Sequence, residues 1–345
     1  MLVLRIISLL ICRSAPLGRR PLGSAKDTRP DVNLVPDHLT SNLRLVGQLR
    51  HCVRRPARRY TGWDSFEYTG SSVDPNEPVA FCGDLSPAGV LAAYRRGLFP
   101  LAAPGLKRRV GKRVEYAERV ASGAVAIVGS ADGSDVPVDP YWAEWWSSDP
   151  RPIIDVSAVH VARGTRKTIL DNDLRTTANT SFKRVVEECR AGRPSEWLTD
   201  ELVASLVALH EDGWAHSTEV WLDGDLVGGT IGIGIGKVIS GDTVFNRMAN
   251  AGRIAIIDMV ARFRDAGGQL MDCQVFGPLS PSLGVASMPR ADYLKVLESS
   301  TERVELDGTE LPAKRLLPVT EKANMGQPKP PKAQASKAPK APTPA

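Results

Sequence analysis

The chain has 345 residues, 42% of them hydrophobic and 24% charged, and Lys+Arg exceed Asp+Glu by 44 to 39 for a formal net charge of +5. That describes a globular protein of one large or two modest domains with ample material for a core; the small basic excess argues only weakly for an anionic partner, because it can lie in the chain ends. Cys12, Cys52, Cys82, Cys189 and Cys273 are scattered without any Cys-x-x-Cys spacing, so a reduced, cytoplasmic protein without a structural metal fits best.

The apolar run from Leu2 to Cys12 is followed by Arg13, Arg19 and Arg20. It is too short to span a bilayer, and its charges stand on the wrong side for an export signal, so it reads as an extension or as a misplaced start codon, and no membrane partner is expected. Asp31 to Thr69 mixes Arg50, Arg54, Arg55, Arg58 and Arg59 with prolines and few apolar repeats. Residues 1–77 are therefore expected to be a poorly ordered lead-in whose arginines either touch RNA or are simply solvated.

A small N-terminal α/β domain is expected over residues 78–157. Ser86-Pro87 is an N-cap and N1 pair, Val90, Leu91 and Tyr94 share one helical face, and Gly97 can close the helix. Residues 106–140 open with Lys107, Arg108, Arg109, Lys112 and Arg113, and from Val120 to Val138 they are rich in Ala, Gly, Ser and Asp, as a surface excursion would be. The cations either meet phosphates or are solvated.

Arg151-Pro152-Ile153-Ile154 begins a strand, and Arg163, Arg166 and Lys167 lie on a basic helix ending before Asn172. Phe182, Val185, Val186 and Cys189 give the next helix its apolar face, and Thr199-Asp200 caps a third that carries Leu202, Val203, Leu206 and Leu209. Trp197, taken alone, reads as a core anchor. His210 and His216 lack a third ligand at metal spacing, so both are structural and no metal is expected.

Trp221 precedes Asp223-Gly224, a two-residue turn signal, and Leu226-Val227 resumes the strand, which makes a hairpin. Gly228, Gly229, Gly232, Gly234 and Gly236 interleave with Ile231, Ile233 and Ile235, and no helix opens directly after them. A strand with close backbone approach fits better than a dinucleotide fingerprint. Ile254, Ile257, Asp258, Ala261 and Phe263 then mark a helix stopped by Gly267-Gly268, and Leu270 to Val275 reads as a short strand with Asp272 and Gln274 on one face. With Asp242 from another strand, these two form either a polar site in a mixed sheet or satisfied polar residues at its edge. Residues 319–345 become Pro, Lys and Ala, which we expect to be a disordered cationic tail with salt-sensitive affinity for RNA.

Several motifs occur in a fixed order: Gly83-Asp84-Leu85-Ser86-Pro87, Ala93-Tyr94-Arg95-Arg96-Gly97-Leu98-Phe99-Pro100, Trp145-Trp146-Ser147 with Asp149-Pro150-Arg151, His216-Ser217 with Glu219-Val220-Trp221, Asp272-Cys273-Gln274-Val275, and Pro289-Arg290 with Asp292-Tyr293-Leu294. In this the chain resembles the leucyl/phenylalanyl-tRNA–protein transferases, from Pro78 to Leu297 apart from the insertion at 106–140. The resemblance implies an α+β fold: a GNAT-like mixed sheet flanked by helices over 158–318, preceded by the small domain. It implies transfer of leucine or phenylalanine from aminoacyl-tRNA to proteins with an N-terminal Arg or Lys, which marks them for N-degron degradation. It also implies a monomer without a cofactor, the ester being already activated.

By the same resemblance Gln274 orients or relays a proton from the attacking α-amine, and Asp272 holds and polarises it. Asp242 replaces the glutamate of a Gly-Glu-Ser pattern and receives the acceptor's ammonium or basic side chain. Two tryptophans that hold the terminal adenosine correspond to Trp197 and Leu101, and at the second the ring is lost; Tyr141, Trp142, Trp145 and Trp146 are candidate substitutes. Thr230 and Val244 replace methionines and Met259 a phenylalanine in the amino-acid pocket. Apart from the resemblance, which does not extend to the insertion, charge and position lead us to expect tRNA phosphate contacts at Lys107, Arg108 and Arg109 and at Arg163, Arg166 and Lys167. Two alternatives stand beside this reading. An acyl-CoA-dependent GNAT-type N-acyltransferase needs a Gln/Arg-x-x-Gly-x-Gly/Ala loop, of which Asn250-Ala251-Gly252-Arg253 is a fragment; a decayed RNA-binding paralogue is suggested by Leu101, Asp242 and Val244 and opposed by Asp272 and Gln274.

Overall fold

The computed structural model describes residues 59–66, 74–103, 105–129, 139–191 and 197–318. Its first sheet has five strands: β1 (Arg59–Tyr60), β2 (Ala80–Phe81), β3 (Phe99–Ala102), β4 (Ala126–Val128) and β5 (Ala143–Trp146), in the order β1-β4-β2-β5-β3. Three helices accompany it, α1 (Pro87–Tyr94), α2 (Leu106–Glu115) and α3 (Ala117–Ser122). Helix α1 starts as its sequence dictates: Pro87 opens it and the Ser86 hydroxyl accepts the Gly89 N–H at 3.1 Å. Gly97, at φ 71, ends the turn that follows.

Two expectations are corrected here. The lead-in expected to lack order contributes β1, which pairs in parallel with β4, and its Trp63 is buried edge-on against Trp145 with ring centroids 5.1 Å apart. A two-residue strand has no readable period; the recurrence of Tyr60, Trp63 and Phe66 at three-residue spacing was the available signal. Residues 1–58 and 319–345 lie outside the described residues. Residues 130–138 of the stretch at 106–140 lie outside the described residues, and its described part, residues 106–129 and 139–140, is likewise no surface excursion. It supplies β4, an inner strand held between β1 and β2, and packs Tyr116, Val120, Val125 and Ile127 around Phe81 and Tyr141. A three-residue strand buried on both faces shows no alternation, so its small-residue surroundings dominated the reading.

The second sheet contains β6 (Arg151–Asp155), β7 (Arg175–Ala178), β8 (Ala215–Leu222), β9 (Asp225–Ile235), β10 (Val238–Ser240), β11 (Thr243–Asn246), β12 (Leu270–Asp272), β13 (Ala286–Met288) and β14 (Leu311–Pro312). Its order is β13-β6-β12-β10-β9-β8-β7-β14, with β11 also on β9. The β10–β12 pair is parallel and the others antiparallel, so the sheet is mixed. Helices α4 (Arg163–Asp171), α5 (Phe182–Arg190), α6 (Asp200–Glu211), α7 (Ala251–Asp265), α8 (Ser280–Leu283) and α9 (Arg290–Glu298) flank it. The architecture is the expected α+β one. No helix among the described residues is long and apolar enough to cross a membrane.

The β8–β9 hairpin turns at Asp223 and Gly224, both at positive φ (52 and 83), the geometry of a two-residue type I′ turn. Strand β9 then changes partner along its length: Gly228 to Ile231 pair with β11, whereas Gly234 and Ile235 pair with β10. The switch falls at Gly232, where an added Cβ would stand 1.7 Å from the Ser240 carbonyl oxygen. At this fork consecutive residues bond in opposite directions, Gly241 N–H to the Asp272 carbonyl at 2.8 Å and Asp242 N–H to that of Ile231 at 3.0 Å. The sheet splits between β11 and β12, and the candidate site lies in the split.

Candidate active site

Strand β12 stops at Asp272, and Gln274 follows in the left-handed region at φ 60. The expected strand to Val275, with both side chains on one face, is therefore corrected. Asp272 Oδ1 accepts the backbone N–H of Gln274 at 2.8 Å, so the carboxylate closes the turn that points Gln274 into the split. The Asp272 carboxylate is otherwise gripped by Arg151, Nε to Oδ1 at 2.8 Å and Nη2 to Oδ2 at 2.5 Å, and by the Tyr293 hydroxyl at 2.9 Å. Arg151 is 1% exposed and Asp272 2%. The guanidinium also lies over the Phe99 and Tyr293 rings, 5.1 and 4.6 Å from their centroids. Asp272 thus holds Gln274 by its backbone, whereas the amide it was expected to polarise is hydrogen-bonded to Asp242.

The Gln274 amide instead donates Nε2–H to Asp242 Oδ1, and the Tyr94 hydroxyl of α1 donates to the same oxygen at 3.1 Å. Asp242 is 7% exposed, and its Oδ2 is buried without a hydrogen bond among the described residues. Burial pushes this carboxyl up to about 7, against the hydrogen-bonding pull of Ser240, Tyr94 and Gln274, with the Asp272 charge adding to the upward push. Burial first, and Asp242 next, keep the Tyr94 hydroxyl well above its ordinary range, so it stays a donor. The raised Asp242 value has a definite sign for stability. The folded state binds the proton more tightly, so the contribution is full below the ordinary carboxylate range and is lost as pH rises to about 7. The ionised carboxylate is held at the expense of the fold.

The carboxyl and the amide face an open cleft. Thr230 and Val244, a cross-strand pair of β9 and β11, form part of its wall, and Ile256, Met271 and Leu283 make it apolar. The Thr230 hydroxyl donates to the Thr243 carbonyl at 2.7 Å and is thereby satisfied within the strands. Met259 is 0% exposed and belongs to the core, whereas Ile256, about one turn earlier on α7, lines the cleft. The phase of a helix buried on every side is not readable from its composition.

Trp197 and Leu101 do not line the cleft. Trp197 is buried in the core cluster with Phe182 and Leu202, its indole N–H without a hydrogen bond among the described residues, and Leu101 is half-buried on β3 opposite Glu144. Of the rings considered as substitutes, Trp145 is buried and donates its N–H to the Cys82 carbonyl, and Trp146 is buried on the same strand. Tyr141 and Trp142 are covered by the guanidinium groups of Arg113 and Arg109, 5.0 and 4.2 Å from their centroids.

The basic residues of α2 divide in two. Lys107 and Arg108 are exposed, whereas Arg109 and Arg113 pair with Asp139 at 3.5 and 3.0 Å and Lys112 with the buried Glu144 at 3.2 Å, so these three fasten α2 to the sheet. On α4, Arg163 is exposed, Arg166 half-buried, and Lys167 pairs with Asp171. Burial pushes His216 down to about 4, with His210 adding to it, so the ring is neutral and structural. Tyr94, Arg151 and Tyr293 were not read as site residues. They stood inside the ordered motifs, but their roles depend on contacts 148, 121 and 21 residues away in sequence.

Comparison with known proteins agrees with the motif order. The profile described as "Leucyl/phenylalanyl-tRNA protein transferase" matches residues 153–298, and that of the same family's N-terminal domain matches 83–107. Proteins named leucyl/phenylalanyl-tRNA--protein transferase from Shigella dysenteriae serotype 1, Escherichia coli O7:K1 and Enterobacter sp. strain 638 are each 34% identical over 256 residues, covering 74% of this chain and 90% of the relative. With identity at that level across nearly the whole length of those relatives, the chain belongs to the leucyl/phenylalanyl-tRNA protein transferase family of aminoacyltransferases.

Proposed function

We propose that this chain transfers leucine or phenylalanine from aminoacyl-tRNA to the N-terminal Arg or Lys of proteins, acting as a cytoplasmic monomer and marking its acceptors for degradation through the N-degron pathway. The observation that carries the reading is the Asp242–Gln274 pair at the floor of an apolar cleft in the split of the sheet. An aminoacyl ester is already activated, so the site needs to supply position, a proton route and help for the developing oxyanion. The apolar wall of Thr230, Val244 and Ile256 suits the side chain of an uncharged donor. The Asp242 charge attracts the acceptor's N-terminal residue, through its ammonium or its side chain, and Gln274 orients the amine. Lys107, Arg108 and Arg163 are exposed cations suited to tRNA phosphates, with affinity that falls as salt rises.

Competition between equal amounts of leucyl-, phenylalanyl-, methionyl- and isoleucyl-tRNA tests the donor half. Transfer of leucine and phenylalanine is expected, with methionine and isoleucine within about 10–200-fold, because an apolar wall resolves a methylene by only about 1–3 kcal/mol. Exclusive transfer of a polar amino acid from a full tRNA pool would contradict it.

A further inference from the structure

We propose that Asp242 is the proton carrier of the transfer, taking a proton from the acceptor's α-amine and handing it to the departing ester oxygen of the tRNA. This rests on the function proposed above and decides what Asp242 does within it, assigning the carboxylate to the α-amine and not to the acceptor's basic side chain.

Among the described residues that line the cleft, Asp242 is the one carboxylate. Asp272 already takes Arg151, Tyr293 and the Gln274 N–H on its two oxygens. A carboxamide such as that of Gln274 is not a base, and its N–H is spent on Asp242. The Tyr94 hydroxyl is a donor whose proton goes to Asp242. Oδ1 of Asp242 is thus fixed by two donors from different parts of the chain, which sets the rotation of the carboxylate, while Oδ2 is buried, without a hydrogen bond of normal geometry among the described residues, and part of a residue that lines the cleft. The groups acting on this carboxyl are Tyr94 from α1, Ser240 from β10, Gln274 and Asp272, the last neutralised by Arg151. Their balance with burial puts it at about 7, where a base serves best at neutral pH.

The step balances without a co-reactant. The acceptor's α-ammonium first gives its extra proton to water, the free amine having an ordinary pKa of about 7.7–8.0. The amine lone pair attacks the ester carbonyl carbon, the C–N bond forms and the carbonyl π electrons move to oxygen. Asp242 Oδ2 takes the second proton from nitrogen. The intermediate collapses, the bond from carbon to the ribose oxygen breaks, and that oxygen leaves with the proton returned by Asp242. The products are an amide and a tRNA hydroxyl, with Asp242 ionised again.

The test is the pH profile of leucine transfer from leucyl-tRNA to an arginine-initiated peptide, from about pH 5 to about 9. Wild type is expected to show two rising limbs, the lower near 7 and belonging to the enzyme. Acceptor peptides with differently titrating α-amines should move only the upper limb. Asp242→Asn keeps the side-chain shape and removes the cost of the buried charge, so it should melt no earlier than wild type at neutral pH. It is expected to lose the lower limb, to lower turnover by about 10²–10⁴-fold, and to keep both its KM for leucyl-tRNA and its preference among acceptors. Tyr94→Phe removes a donor to the carboxylate and should move the lower limb to higher pH while transfer persists. An Asp242→Asn protein that retains the lower limb, or that loses only the preference for Arg and Lys, overturns the assignment and leaves the transferase reading intact. A folded wild type that transfers nothing overturns that reading and this inference with it.

Discussion

Replacing Arg151 with methionine is expected to cost about 3–5 kcal/mol of stability, the price of leaving a buried charge without its partner. Arg151 and Asp272 lie on neighbouring strands β6 and β12, both almost fully shielded, and the guanidinium supplies two of the bonds to the carboxylate. The double change Arg151→Met with Asp272→Leu should recover most of the loss, since a buried ion pair is often replaced by apolar side chains at little cost. It should not recover activity, because Gln274 would lack the carboxylate that closes its left-handed turn. Denaturant unfolding followed by transfer kinetics separates the two effects. A single mutant destabilised by less than about 1 kcal/mol would mean that the pair behaves as a surface salt bridge.

Gln274→Ala is expected to lower turnover about a hundredfold, the scale of a misplaced reacting group, while tRNA binding is unchanged. Asp272→Ala should act in the same direction, through the backbone of Gln274. Because both act on one turn, the double mutant should lose less than the product of the single losses. Strictly multiplicative losses would show that Asp272 does not work through Gln274.

Much of the fold was legible because its signals are local. Ser86 and Thr199 cap the helices that follow them, Asp223-Gly224 turns its hairpin, and the β9 glycines mark close approach of backbones. The candidate site was legible as a cluster of polar residues and not in its wiring. Asp242, Asp272 and Gln274 do converge, but their order of contact runs Gln274 amide to Asp242, and Asp272 to the Gln274 backbone. That wiring depends on the partner switch of β9 and on one left-handed residue, neither of which leaves a periodic trace. The short β4 strand escaped for a related reason: three buried residues are too few for a pattern, and their place is fixed by strands far away in sequence. Met259 was misplaced by a single helical turn, an error that only the packing of α7 resolves.

The most direct test of the account is mass spectrometry of an arginine-initiated peptide incubated with the purified protein and leucyl-tRNA, with no other cofactor added. The account predicts a peptide longer by one leucine at its α-amine, formed far more slowly by Gln274→Ala. An unchanged peptide that becomes acylated only when an acyl-CoA is supplied would contradict it.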